Sequence, residues 1–364
     1  MLHLEFQVTM YMKKNNMKVA YRYMNMYYSE NNQGSNSISG SEINDNNYLA
    51  YGRSMTHDMH SFEFAYGVTD IITVSASMKF SEKNMTATEF EIPEVPGIPS
   101  DCEEEFIQTG YCDSPCNWIE NDDPDLDCAG FCIDQDPNNG EAAVPASNWN
   151  MASTGMADLE ITSLIKVFEN DMGSIHANVG LTLPTGKVDE LDKYYMGKEG
   201  NDDEKFLPFP MQLGSGTVNP IIGFTGKYNT DSFSIGAQIK GTLRVTDNEH
   251  DYSLGNKTEL NVWGIFNLFE WMGITGRLKI EEIGKIEGNV TDMTSDLTPY
   301  GGYIENTGSS NQILGVGANF IIPFSKLPGN NVITIEYELP IKQDVNGIQM
   351  TQENNLMIGW QYAF

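Results

Sequence analysis

Apolar and polar residues alternate with period two along most of the chain after residue 155, which is the pattern of half-buried β-strands. The segment "SIHANVGLTL" at 174–183 is an example, and "NVITIEYELP" at 331–340 repeats the pattern. In the first segment the apolar face consists of Ile175, Ala177, Val179, Leu181 and Leu183. The same periodicity predicts about twelve strands, at residues 16–28, 55–68, 70–82, 154–168, 172–184, 211–228, 231–246, 252–268, 271–286, 310–324, 330–342 and 351–364.

The connections between these strands differ in length on the two sides. Short turns such as "GVTD" and "FEWMG" alternate with longer loops, which are placed at 29–54, 83–153, 185–210, 287–309 and 343–350. Long loops on one side and tight turns on the other are typical of outer-membrane barrels. A soluble sandwich gives similar alternation, but charged residues on the polar faces suit a water-filled barrel better. The pattern therefore predicts an all-β fold, a transmembrane antiparallel outer-membrane β-barrel of about twelve strands with both termini periplasmic.

The end of the chain, "MIGWQYAF", carries a second indication of this fold. Phe364 is terminal, Tyr362 lies two residues before it and Gly359 five residues before it. This spacing resembles the C-terminal signal by which bacterial outer-membrane barrels are recognised for insertion. We therefore expect outer-membrane lipid and the barrel-insertion machinery as partners, and the bacterial outer membrane as the location.

Several segments resemble one bacterial family. They are "KVAYRYMNM" near the start, "GLTLPTG" at 180–186, "LPFPMQLGSGTVNPIIG" at 207–223, "GTLRVTDNEHDYSLGNKTELNVW" at 241–263 and the terminal "IGWQYAF". These segments are similar to the outer-membrane proteins labelled "putative MetA-pathway of phenol degradation", also called "transporter". The resemblance implies an outer-membrane barrel, and the family name implies passage of aromatic compounds, while similar chains are also linked to metal handling.

The domain organisation follows from the strand pattern. Residues 1–15 are expected to form a periplasmic N-terminal segment, and residues 16–364 the barrel. Residues 83–153 are expected to form a long extracellular loop that contains every cysteine. The N-terminal sequence has no basic segment before an apolar core and no small-residue cleavage site. We therefore interpret the chain as exported, with its signal peptide already removed.

The cysteine-containing loop predicts an oxidising environment. Its cysteines are Cys102, Cys112, Cys116, Cys128 and Cys132. Clustering within one acidic stretch suits a loop held by disulfides, with two bonds as the default and one thiol left over. Zinc binding is the alternative, although no histidine lies nearby. A loop of this kind can also bind a surface or periplasmic protein, in which case the barrel would act as a scaffold.

The net charge excludes one class of partner. Lys and Arg number 21 against 51 Asp and Glu, which gives a formal charge of −30 and argues against binding nucleic acid. The acidic excess falls mainly in the predicted loops, where it would either concentrate cations or keep the surface solvated. The predicted lumen, in contrast, carries both signs. Its charged residues include Lys18, Arg22, Glu63, Lys166, Lys240, Arg244, Arg277, Glu336 and Glu338.

The stretch "SMTHDMHS" at 54–61 suggests a metal site. Strand parity turns alternate residues of this stretch toward the lumen, and a hairpin would bring the first strand beside it. The inward set is Met24, Met26, Met55, His57 and Met59, whereas His60 faces outward. Thioethers with an imidazole suit Cu(I) or Ag(I). The alternative is that these methionines only fill space, because methionine adapts to irregular surroundings.

The remaining function classes receive little support from the sequence. No nucleophile motif such as G-x-S-x-G is present, so no enzymatic activity is expected. No cofactor is required, and the ions for which the sequence offers ligands are Cu, Ag and Ca. We therefore predict a channel for small solutes, with soft metal ions as the first candidate and aromatic or hydrophobic compounds as the alternative.

Overall fold

The computed structural model describes residues 12–46, 48, 50–91, 144–193, 204–289, 300–322 and 330–364. In chain order the strands are β1 (Met17–Gly34), β2 (Asn36–Ser37), β3 (Ala50–Gly67), β4 (Ile72–Glu91), β5 (Val144–Met156), β6 (Leu159–Asn170), β7 (Gly173–Leu183), β8 (Leu191–Asp192), β9 (Lys205–Phe206), β10 (Asn219–Asn229), β11 (Phe233–Thr242), β12 (Tyr252–Ser253), β13 (Lys257–Phe269), β14 (Met272–Ile283), β15 (Glu287–Gly288), β16 (Ser309–Ile322) and β17 (Asn330–Ala363). One short helix, α1 (Gly40–Asp45), and 3-10 turns at Phe209–Met211, Tyr300–Gly302 and Ile304–Asn306 lie in the connections.

Eleven of these strands form a closed antiparallel ring. Neighbours in the ring are β17, β16, β14, β13, β11, β10, β7, β6, β4, β3 and β1, and β1 pairs again with β17. At this closing seam Met17 and Phe364 exchange two backbone hydrogen bonds, of 2.8 and 3.0 Å. Every strand edge of the ring is thereby paired, which removes the exposed edges that an open sheet would have.

Strand β17 contributes two passes through the wall. Its residues up to Val345 pair with β16, and its residues from Ile348 to Ala363 pair with β1. The chain reverses at Asn346 and Gly347, where Gly347 has a φ of +61° that favours glycine. The described wall therefore has twelve passes, and the first and last described residues, Met12 and Phe364, both lie at the turn end. The prediction of an antiparallel outer-membrane-type barrel is confirmed.

Some predicted boundaries differ from the structure. Strand β4 extends to Glu91, and β5 begins at Val144. The connection expected at 83–153 is therefore shorter, at 92–143, and it lies outside the described residues. Residues 211–218 do not form a strand; β10 begins at Asn219 instead. A 3-10 turn at Phe209–Met211 contains Pro210, which lacks the N–H that a central strand needs, and residues 212–218 after it have no regular structure. Residues 343–350 form a tight turn rather than a longer loop.

The outer surface of the barrel is apolar. Phe62 and Phe64 are 51% and 46% exposed, whereas the alternate residues Ser61 and Glu63 are buried in the interior. The rings of Phe269, Trp271 and Phe320 stack near the turn end, as in the aromatic girdles of membrane barrels. Among the described residues no helix is long and apolar enough to cross a membrane.

The two ends of the interior are filled in different ways. At the loop end, Ala50, Met85, Trp149, Leu207 and Met211 belong to one buried cluster. Toward the turn end, Trp263, Ile265 and Val332 pack together inside the ring. Met12, just before β1, is also held inside by Thr73, whose hydroxyl accepts from the Met12 N–H at 2.8 Å. The open space of the lumen therefore lies between these two regions.

Candidate functional site

Two cavities lie in series inside the barrel. The inner chamber has a volume of about 420 Å³ and the outer chamber, nearer the loops, about 330 Å³. Four side chains line both of them: Tyr28, His57, Glu281 and Gln352. The two chambers meet at these four residues, which we call the junction ring.

The surface of the outer chamber is mainly apolar, although polar side chains such as Asn311, Gln343 and Gln349 also line it. Met55, Met85 and Met350 form one side, and Tyr300 and the two prolines Pro208 and Pro210 form its roof. The roof comes from two loop segments that meet at Gly301. A Cβ built at Gly301 would lie 3.6 Å from the Cβ of Pro208, so the two segments are in van der Waals contact there. On its loop side the outer chamber is therefore bounded in part by a seam between two loop segments.

Each half of this roof is anchored to a different part of the wall. The Lys83 amine donates to the carbonyls of Pro210 and Gln212 at 2.7 and 2.6 Å. On the other half, the Tyr300 hydroxyl donates to the Asn31 side chain. Complete burial raises the pKa of Tyr300, so this hydroxyl stays protonated and remains a donor.

The inner chamber carries a ladder of alternating charges on strands β11, β13 and β14. Lys240 and Lys257 both lie 3.4 Å from Glu259. Lys257 and Lys279 lie 2.7 and 3.6 Å from Glu281. Each carboxylate thus has two ammonium neighbours, which offsets the cost of placing charges inside the barrel.

A second ionic group lies beside the ladder. Arg277 contacts both Glu336 and Glu338 across β16. In the register Gly315 stands between Arg277 and Glu338, and its missing side chain leaves room for the guanidinium to pass. Asn355 donates to the second oxygen of Glu338 at 2.6 Å. Arg277 is therefore the cation that contacts both carboxylates.

The other charged residues expected in the lumen lie in three places. Arg22 and Glu63 face inward and form an ion pair of 3.4 Å. Lys18 is buried near the turn end, and Lys166 pairs there with Glu169 at 3.0 Å. Arg244 lies beyond β11, which ends at Thr242, and it lines neither chamber. The prediction that Arg244 lines the lumen stays a prediction, because Arg244 follows the end of β11 and is absent from the linings of these two chambers.

Several polar atoms in the inner chamber lack a protein partner. The side-chain oxygens of Asn178, Asn261 and Asn355 accept no hydrogen bond from the described residues. All three amides line the chamber. Buried oxygens of this kind are normally satisfied by water, so the inner chamber suits polar contents.

The structure brings four of the five expected soft-metal ligands into the inner chamber. Met24, Met26, His57 and Met59 line it together, and His57 lies 3.1 Å from the Ser81 hydroxyl. Met55 lines the outer chamber instead. Within the described residues, no group of three or more His, Cys, Asp or Glu side chains could hold a metal ion. Any metal here would thus depend on the thioethers.

Two further groups of predicted residues remain, the cysteines and the C-terminal residues of the expected insertion signal. The five cysteines lie outside the described residues, so the disulfide prediction stays a prediction. Gly359 lies opposite Arg22 on the closing seam, and the rings of Tyr362 and Phe364 stack with a centroid distance of 5.0 Å. The residues predicted to form an insertion signal therefore lie at the end of the strand that closes the barrel.

Sequence reasoning missed several residues that line the chambers. Met357 lines the inner chamber beside Met24, and Tyr28 and Gln352 belong to the junction ring. Strand parity could have identified Met357, because Leu356 and Ile358 on either side are apolar and face outward. No local pattern indicates that Pro208 and Tyr300 roof the outer chamber, since their loops fold inward only in the complete barrel.

Comparison with known proteins identifies the fold. No protein-family model and no curated protein matches the chain. An outer membrane channel from Pseudomonas putida F1 has a similar structure, with a TM-score of 0.54, 11% identity and coverage of 100% of both chains. The toluene transporter TbuX from Ralstonia pickettii scores 0.44 at 11% identity, over 97% of this chain and 90% of that chain. The CymD monoaromatic hydrocarbon channel scores 0.40 at 7% identity, over 97% and 88%. The likeness to the Pseudomonas channel shows that this chain has the fold of an outer-membrane channel barrel.

Proposed function

We propose that the protein is an outer-membrane channel for small solutes that have an apolar body and a charged or hydrogen-bonding end. The observation that supports this most directly is the order of the two chambers. A solute from the loop side would meet an apolar chamber first, then the junction ring, then a chamber lined by paired charges. Such an order suits molecules that combine both kinds of surface.

The dimensions of the outer chamber support a solute of single-ring size. An apolar protein cavity of roughly 150 Å³ is large enough to bind benzene. The outer chamber, at about 330 Å³, leaves space for a ring with one substituent. Its methionines adapt their shape to different bodies, because the thioether side chain is flexible.

The family resemblance supports the same class of solute. The segments that resemble the "putative MetA-pathway of phenol degradation" proteins include 207–223, which contains the two roof prolines. Membership of that family is part of this proposal, as is recognition of the last strand by the barrel-insertion machinery. Both rest on sequence resemblance.

Uptake of amino acids into proteoliposomes tests the proposed function. Phenylalanine and serine have the same charged end, and neither crosses a bilayer readily. We expect phenylalanine to enter at least as fast as serine, although a pore that sieves by size would pass the smaller serine faster. Exclusion of phenylalanine with free passage of serine would contradict the proposal.

A crosslink across the roof shows whether uptake uses the outer chamber. Disulfides join Cβ atoms about 3.5–4.5 Å apart, and the Pro208–Gly301 separation of 3.6 Å suits one. We expect Pro208→Cys/Gly301→Cys, made in a chain whose native cysteines are serines, to slow uptake at least tenfold when oxidised. Reductant should restore uptake, and each single variant serves as the control.

Passage of soft metal ions is a second candidate function. The observation that favours it is the grouping of Met24, Met26, His57 and Met59 on one wall of the inner chamber. A scaffold role is the third, favoured by the packing of Trp263, Ile265 and Val332 at the turn end. Absence of uptake for every solute, with an intact barrel, would favour the scaffold.

A further inference from the structure

Three methionines lie in one row across three neighbouring strands of the inner chamber. Met24 of β1 is directly opposite Met357 of β17 on one side and Met59 of β3 on the other. All three line the chamber, and Met357 is only 5% exposed. The row thus joins the first strand, the next wall strand and the closing strand of the barrel.

The spacing of this row lets the three sulfur atoms approach one point. Directly opposite residues on antiparallel strands have Cβ atoms about 4.5–5.5 Å apart. The methionine side chain is unbranched and rotates about three bonds, so its sulfur can move by a comparable distance. With Met24 in the centre, its neighbours can converge on it from both sides.

We propose that Met24, Met59 and Met357 form a binding site for a soft monovalent cation, Cu(I) or Ag(I). This inference deepens the second candidate function and rests on it. Relative to the set expected from the sequence, Met357 is added and Met55 is removed. Met26 and His57 lie opposite each other in the adjacent row and are the nearest additional donors.

The charges around the row favour a monovalent ion. Thioethers are neutral, so they do not compensate the charge of a dehydrated divalent ion, whereas soft sulfur suits Cu(I) and Ag(I). The neighbouring charged residues on β1 and β3, Arg22 and Glu63, pair with each other at 3.4 Å, and Glu338 of β17 pairs with Arg277. Hard ions such as Ca²⁺ prefer oxygen ligands, which the row does not offer.

The competing explanation is that these methionines are an adaptable apolar lining. Leucine distinguishes the two explanations, because replacing methionine by leucine roughly preserves volume and apolar character but removes the sulfur. The chain also offers a matched control. Met78, Met156 and Met172 face outward, with exposures of 46%, 36% and 53%.

Titration calorimetry with silver nitrate tests the site in the full chain, with the five cysteines replaced by serine. We expect Met24→Leu/Met59→Leu/Met357→Leu to bind Ag(I) at least tenfold more weakly than its parent. The control Met78→Leu/Met156→Leu/Met172→Leu should bind like the parent, and Zn(II) should not distinguish the variants. Equal Ag(I) affinity in the site and control variants would overturn the site.

Two additions keep the outcome decisive. If the triple variant does not fold into a heat-resistant barrel, Met24→Leu alone is titrated with Ag(I). Weaker Ag(I) binding by this single variant supports the site, and unchanged binding overturns it. Phenylalanine uptake is measured on the same proteins. If the triple variant takes up phenylalanine normally and its silver affinity is unchanged, only the metal site is overturned. If the triple variant loses silver affinity but the parent barrel passes no solute, the metal site is supported and the channel function is contradicted.

Discussion

The inner and outer chambers share strands and a junction ring, yet they are stabilised by different interactions. The inner chamber depends on ion pairs, such as those of Glu259 with Lys240 and Lys257. The outer chamber depends on apolar contacts among methionines, aromatic residues and two loop segments. One barrel thus holds a rigid chamber stabilised by ion pairs beside an adaptable apolar chamber. Substitutions in the two chambers should therefore change the properties of the barrel in different ways.

The largest effect is expected at Arg277 of the inner chamber. Arg277→Met leaves Glu336 and Glu338, whose side chains are only 11% and 5% exposed, without their cation. Removing one partner of a buried ionic group costs about 3–5 kcal/mol. Guanidinium unfolding of the folded barrel should show this loss in the free energy of unfolding. Arg277→Met/Glu336→Gln/Glu338→Gln should recover part of it, and a fully stable Arg277→Met would contradict the ionic account.

A smaller effect is expected at Met85 of the outer chamber. Met85→Ala creates a cavity beside Trp149 and Met151, and such truncations cost about 2–5 kcal/mol. Met85→Leu should cost less than about 1.5 kcal/mol, because the volume is nearly kept. The same unfolding measurement applies, with the outward Met78→Ala as control. Equal losses for the alanine and leucine variants would show that the outer chamber is not adaptable.

The smallest effect is expected at Glu259, and it concerns selectivity rather than folding. Glu259→Gln leaves Lys240 and Lys257 with one carboxylate fewer, so the inner chamber becomes more positive. In a hydrated lumen one charge at about 4 Å is worth about 1 kcal/mol, a roughly five-fold change in the cation-to-anion permeability ratio. Reversal potentials in planar bilayers should move toward anion selectivity. The outward Glu82→Gln is the control, and an equal shift in both variants would argue against the ladder.

The wall of the barrel could be predicted from the sequence because successive residues of a strand point to opposite faces of the sheet. That periodicity located the strands and turned Met24, His57 and Met59 inward. It could not show that Met357 joins them, since the register between β1 and β17 is set only when the ring closes. Nor could it show the roof, because Pro208 and Gly301 are brought together by tertiary contacts rather than by local pattern.

The closing seam also has a consequence for how this barrel folds. Glu30 and Thr351 are hydrogen-bonded although 321 residues separate them in the chain. Contacts of such high sequence separation are slow to form, because the chain loses much entropy before they repay it. The ring thus stays open until its last strand arrives, and the residues that resemble an insertion signal lie on that strand. Recognition of the signal would then coincide with closure of the ring, while the edges of the first and last strands are still unpaired and open to aggregation.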